Sequence, residues 1–439
     1  MNVRNWPSAL ACAAMVLTSV FAHAASGPAD PGLAQLRLLV RESVNRSPAI
    51  REAQANWRAA EQDALQSRAG AWPKLDISAN SGSARLESGG ATGPANLALS
   101  ATYSVFDFGR LRHQVDAREQ QAGALENQLR TVVDGTVYDT ALAYLQWIKQ
   151  TRLNTVYDQH IVELAGLIDK LAATVQVLPG RRSELTQAQT RMAQAQDALA
   201  AVKAKQREHQ LSLTRLTGLT LTPALSSADL PTLPEDSEGL LASVAAQDHP
   251  TLRAARAEAA AARARLAEIQ AGQKPQIDLQ ASKQTGTDVY GASSPAQLFV
   301  TARWTAFDGG GGRTQIQALL ERARSAQERA EQFALDIRFN VLAAKADYEV
   351  QTRRIELLRQ LVPGTDQVRK DYFDQWRELG RRTLLDVLTA ENEHLNTRLS
   401  LVASEVDQTL ALLRMRHEAA GLRVLLLDDN GQAASGTNP

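Results

Sequence analysis

The sequence predicts a mainly α fold with a β-barrel part: long coiled-coil α-hairpins plus four β-strands per chain, written twice by an internal repeat. Three observations carry this prediction. Apolar residues alternate with polar or small ones in two similar stretches, Leu97, Leu99, Ala101, Tyr103 and Val105 in one and Leu298, Val300, Ala302, Trp304 and Ala306 in the other. That period of two marks strands with one apolar face. A polar, Ala-rich helical pattern without proline runs from Arg110 to about Val177, much longer than an ordinary globular helix. Matching markers recur in the same order at nearly constant displacement: Pro48 with Pro250, Pro73 with Pro275, Phe106-Asp107 with Phe307-Asp308, Gly180-Arg181-Arg182-Ser183 with Gly380-Arg381-Arg382-Thr383, and Gly218 with Gly421. Such order means duplication, because shared helical composition would not align strands, glycines and prolines.

The chain divides accordingly. Met-Asn-Val-Arg-Asn precedes an apolar run from Ala9 to Ala22, and Ala22-His23-Ala24 places small residues at a cleavage site, so residues 1–24 read as a secretory signal peptide. Cys12, the one cysteine, would leave with it. The first repeat occupies 25–218. Helices are expected over Leu33–Asn45 and Pro48–Ala69, the second with Ser47 as cap and proline at its first position. Leu75, Ile77 and Ala79 start a strand that fades into a Gly/Ser-rich loop through Gly93, and the Leu97 strand returns to complete an antiparallel hairpin. The long helix from Arg110 to Val177 would span about 100 Å at ~1.5 Å per residue. So polar a rod must pair lengthwise with neighbours. Leu178 to Ser183 turns it, a return helix runs from Glu184 to Leu216, and a proline-containing linker covers 219–248.

The second repeat, 249–427, has strands at Ile277–Ser282 and Leu298–Phe307 and a long helix from about Arg313 to Leu379. Pro363-Gly364 is expected to kink or break that helix, since proline removes a donor and clashes with the preceding turn. The return helix carries two seven-residue series, Leu388, Leu395 and Val402 on one and Leu385, Leu399, Val406 and Leu413 on the other. The tail at 428–439 has a disordered composition.

Composition excludes several classes of function. The 48 basic residues balance 48 acidic ones, which leaves no nucleic-acid surface. No later apolar run approaches the ~20 residues of a spanning helix, so a membrane could be crossed only by a closed barrel. Four strands cannot close one, and about eight is the practical minimum. Three copies would supply twelve, enough to hold water. Trp72, Tyr103, Phe106, Phe108, Phe299, Trp304 and Phe307 gather around the strands, either as a girdle at a membrane interface or as packing where strand meets helix. Gly309 to Gly312 follows a strand and opens a helix but lacks the lysine and spacing of a phosphate loop. His417-Glu418 has no second histidine at metal spacing, and the other histidines look scattered. No catalytic residues, cofactor or metal are therefore expected, and no enzyme.

Where each strand runs into its helix, the residues Phe106, Asp107, Gly109 and Arg110, and Phe307, Asp308 and Gly309 to Gly311, resemble the signature of the TolC-like family of outer-membrane efflux and secretion channels. The second copy departs by placing Gly311 and Gly312 before Arg313. The resemblance implies a homotrimer with a twelve-stranded barrel in outer-membrane lipid and a helical tunnel in the periplasm. It also implies that the tip turns, Gly180, Arg181, Arg182, Gly380 and Arg381, meet a periplasmic adaptor protein. Arg381 to Leu388 is similar to the family's tip signature, and Asn392-Glu393 extends the likeness toward type I secretion members. By that likeness Arg382 and Asp386 form the periplasmic gate, the arginine holding it shut and the carboxylate lining the constriction. Thr389 and Thr186 stand where some members carry further acidic residues, so the ring here is sparser. Thr383 and Asp386 also read as an ordinary capping box, and both roles can coexist.

The expected function is a passive outer-membrane channel, with substrates handed over by an inner-membrane transporter, ABC or proton-driven, through its adaptor. Type I protein secretion leads, with multidrug efflux as the alternative. A soluble periplasmic coiled-coil scaffold or adaptor is the competing class.

Overall fold

The computed structural model describes residues 30–80, 96–220, 229–233, 249–285, 295–378 and 381–427. The signal peptide, the loop through Gly93, most of the 219–248 linker, Gly380 and the 428–439 tail lie outside the described residues.

The described elements repeat. Helices α1 (Pro31–Arg46) and α2 (Pro48–Ala69) lead into strands β1 (Lys74–Asn80) and β2 (Asn96–Phe106), then α3 (Arg110–Val177), a short turn at Pro179–Arg181 and α4 (Arg182–Thr217). The second pass gives α5 (Pro250–Gly272), β3 (Gln276–Thr285), β4 (Gln297–Arg303), α6 (Gly311–Arg377), α7 (Leu384–Glu418) and a short α8 (Leu422–Leu427). Local caps set the starts. Asp30 accepts from Gly32 N–H at 2.9 Å, Ser47 Oγ from Ile50 N–H at 3.4 Å, and His249 Nδ1 from Thr251 N–H at 3.2 Å, the last two just ahead of Pro48 and Pro250 at the first helical position.

One antiparallel sheet joins the two hairpins in the order β1-β2-β3-β4. Its register puts Ile77 opposite Leu99, Tyr103 opposite Leu279, and Leu279 opposite Val300, so one face is apolar. Ser100 opposite Ser282, and Ser104, Asp278 and Thr301 in one row, make the other face polar. The register slips between Ser104 and Phe106, a bulge at Val105 that sets Phe106 opposite Ile277. Val105 thus leaves the alternation that the sequence suggested.

Two further expectations are corrected. Strand β4 ends at Arg303 rather than Phe307, because its last partner is Gln276 and the residue before that is Pro275, which has no N–H to give. Trp304 and Ala306 therefore lie off the strand, and the indole Nε1 donates to the Gln273 carbonyl at 3.1 Å. Helix α6 continues through Pro363 without a break. A proline inside a helix costs about 3 kcal/mol, but α6 is held on both sides of it, with Ile355 and Leu358 buried before and Trp376 after.

The rods pack lengthwise. Helix α3 lies along α2, α4, α5 and α7, and α6 along α5 and α7. One core joins α1, α3, α7 and α8 through Leu36, Leu39, Tyr144, Ile148, Leu413 and Leu422. A second, near the turns, joins Leu164, Leu167 and Leu171 of α3 with Ala188, Trp376, Leu384, Val387 and Leu388. Leu388, Leu395, Val406 and Leu413 are buried as expected, whereas Leu385 is half exposed.

Candidate functional site: joints, tip and a buried clamp

Each strand enters its helix through a turn that its aspartate closes. Asp107 Oδ1 accepts from Gly109 N–H at 2.9 Å and Oδ2 from Leu111 N–H at 2.7 Å. Asp308 repeats this with Gly310 N–H at 3.0 Å and with Gly312 N–H. These free helical donors need an acceptor, and a carboxylate there also meets the positive end of the dipole. The chain turns by positive φ at Gly109 (82°) in the first copy and at Gly309 (70°) and Gly310 (89°) in the second, where a side chain would be strained. Phe108 also has positive φ (54°), which sequence reasoning passed over. Its ring stands edge-on to Phe106 at 4.6 Å and lies under Lys274 Nζ at 5.2 Å. Phe307 has no such neighbour among the described residues and is 86% exposed.

At the opposite end the tip residues form two separate arrangements. In the first turn Arg181 lies over the Trp376 ring at 5.5 Å and reaches Glu184 at 3.7 Å, while Gly180 and Arg182 are exposed. In the second, Arg381 N–H donates to the Gln375 carbonyl at 3.2 Å and its side chain is exposed. Arg382 lies over the Tyr372 ring at 4.2 Å and donates Nε to Gln375 Oε1 at 3.3 Å. Asp386 and Thr383 make a full capping box: Asp386 Oδ2 accepts from Thr383 N–H and from its hydroxyl at 3.0 Å each, and Asp386 N–H donates to Thr383 Oγ1 at 3.2 Å. These hydrogen bonds, with a smaller contribution from Arg382, hold the Asp386 carboxyl below the usual range. Arg382 and Asp386 therefore flank the start of α7 without forming an ion pair with each other.

Between tip and sheet, three helices meet at Arg369 of α6. Its guanidinium lies 3.1 Å from Glu163 of α3, 3.5 Å from Glu391 of α7 and 2.8 Å from Asp366 on its own helix. Lys370 reaches Asp366 at 2.6 Å, and His394 Nδ1 lies 3.0 Å from Thr365 Oγ1. Hydrogen bonds from Lys370 lead in lowering the Asp366 carboxyl to about 2, while burial raises that of Glu391 to about 6. His160 of α3 joins this cluster, contrary to the expectation of scattered histidines with no paired ligands. Positions 160 and 391 are far apart in sequence, and only the packing of α3 on α7 brings them together. The one local signal was His160-x-x-Glu163 and Glu391-x-x-His394, each a pair on one helix face.

Comparison with known proteins identifies this architecture. The family model described as outer membrane efflux protein matches residues 39–219 and 241–420, one match to each repeat. Outer membrane efflux protein BepC of Brucella suis biovar 1 is 25% identical over 335 residues, covering 73% of this chain and 72% of its own length. Protein CyaE of Bordetella pertussis is 27% identical over 368 residues, covering 76% and 75%. The solved outer-membrane channel OprN superposes with a TM-score of 0.79 over 89% of this chain and 90% of its own, at 22% identity, which shows a common fold. With two matched repeats, four antiparallel strands and paired rods, the chain belongs to the outer membrane efflux protein family, the TolC-like channels of the bacterial outer membrane.

Proposed function

We propose that three copies of this chain close a twelve-stranded barrel in outer-membrane lipid and a helical tunnel through the periplasm, and that substrates leave passively through it. One observation carries the reading: the sheet has no described partner at the outer edges of β1 and β4, and its apolar face is open to solvent. Leu75, Ile77, Leu298 and Val300 are each 63–70% exposed. Unpaired edges are costly in water and forbidden in lipid, so they call for further copies of the same hairpins. An apolar outer face with a polar inner one, Ser100, Ser104, Asp278 and Thr301 among its residues, is the pattern of a barrel around water.

The remaining roles follow from this placement. Residues 25–218 and 249–427 act as the two channel repeats, joined by 219–248. The tip turns, Gly180, Arg181, Arg182, Gly380 and Arg381, dock an adaptor, and Arg382 and Asp386 gate the tunnel mouth. An inner-membrane transporter, ABC or proton-driven, supplies the energy. The family description and the name of BepC support efflux, so multidrug efflux leads this reading. Type I protein secretion is the second reading, favoured by the likeness of Arg381 to Leu388 and of Asn392-Glu393 to secretion members. Deleting the gene and scoring drug susceptibility together with secreted protein separates the two. Membrane fractionation tests the channel itself: a heat-resistant trimer in the outer membrane is expected, and a chain fully soluble without detergent overturns it.

A further inference from the structure

We propose that His160, Glu163 and Glu391 form a site for a divalent transition-metal ion, with zinc as the fitting example, inside each copy of the chain. One ligand atom from each of the three lies within 4.8 Å of the other two. Bonds of about 2.0 Å to a tetrahedral zinc would put ligand atoms roughly 3.3 Å apart, so modest side-chain closure suffices. The site is built rather than incidental. His160 is 7% exposed. The Glu391 side chain is 12% exposed. A groove of about 140 Å³, lined by His160, Leu164, Leu388 and Glu391, gives an ion and a water ligand access.

An ion-pair clamp alone does not account for these positions. The ion pairs of Arg369 take in Glu163, Glu391 and Asp366 but not His160, which lies beside two of these carboxylates. Three carboxylates, Glu163, Asp366 and Glu391, share this cluster with Arg369 and Lys370, and Arg398 also acts on His160 and His394. Imidazole with carboxylate selects zinc and its first-row neighbours over calcium or magnesium, and the absence of sulfur from the set disfavours copper(I).

Metal and Arg369 are rival claimants for the same oxygens. In the structure Arg369 ties α6 to α3 and α7. An ion would tie α3 directly to α7 and leave Arg369 to Asp366, which already holds it at 2.8 Å.

The test uses the full chain, purified in detergent, stripped with chelator and titrated with Zn²⁺ and with Co²⁺ as a visible probe. About one ion per chain is expected, with the strong visible absorption of four-coordinate Co²⁺. His160→Asn and Glu391→Gln should each weaken binding roughly tenfold or more. Arg369→Gln should tighten it about fivefold by removing the rival cation. Circular dichroism establishes that each variant is folded, and the wild-type stoichiometry with the Arg369→Gln comparison remains decisive if a ligand variant unfolds. No stoichiometric binding by the wild-type chain, unchanged binding in the folded ligand variants, or weaker binding in Arg369→Gln overturns the site.

Discussion

Asp308 does for α6 what Asp107 does for α3: each carboxylate accepts the N–H groups two and four residues onward, Gly109 and Leu111 in one copy, Gly310 and Gly312 in the other. The duplication has kept a physical device, since a rod that starts close beyond a sheet exposes backbone donors that no strand can satisfy. Asp107→Ala and Asp308→Ala should each cost about 1 kcal/mol, and the asparagine variants less. Chemical denaturation of the detergent-solubilised protein measures this. Alanine variants as stable as the parent would show that the caps are redundant.

Seam residues should differ sharply in cost. Leu413 is fully buried among α3 and α7 side chains, so Leu413→Ala should lose about 2–5 kcal/mol. Leu385 is half exposed, and Leu385→Ala should stay within about 0.5 kcal/mol. A large loss at Leu385 would mean that another copy or a partner covers it in the assembly.

Acid should destabilise the chain through His249. Burial, with His417 nearby, lowers its folded-state pKa to about 4 from an ordinary 6.5. Between those values the unfolded chain takes up a proton that the folded chain refuses, so this contribution is complete above pH 6.5 and is lost as pH falls toward 4. Asp134, raised to about 6 by burial despite Arg423, works in the opposite sense over part of the same range. His249→Asn keeps an acceptor for Thr251 N–H without the titration. Its melting temperature should fall less than that of the wild type between pH 7.5 and pH 5, and an equal fall would rule out His249 as the cause.

The proposed gate separates from the capping box by paired variants. Thr383→Ala removes the cap and should cost about 1 kcal/mol while leaving ion preference intact. Asp386→Asn removes the charge and should shift the reversal potential of channels in a planar bilayer toward zero. If both variants leave selectivity alone, Asp386 serves only the helix.

Much of this architecture could be read directly from the chain. Period-two apolar residues at Leu97 to Tyr103 and at Leu298 to Ala302 settle the strands, because alternation in a strand is a local property of the backbone. The same holds for the rod from Arg110 to Val177, for the caps at Ser47 and Thr383, and for the duplication, since each depends on residues within a few turns of one another. What depended on contacts across the fold was hidden. Where β4 ends is set by Gln276 and Pro275 on the neighbouring strand, and the continuity of α6 through Pro363 by packing against α7. Leu385 and Leu388 look alike in sequence, and only the arrangement of four rods buries one and exposes the other. His160 and Glu391 become neighbours because α3 and α7 lie side by side, and a pairing made by packing leaves no periodic trace in either segment.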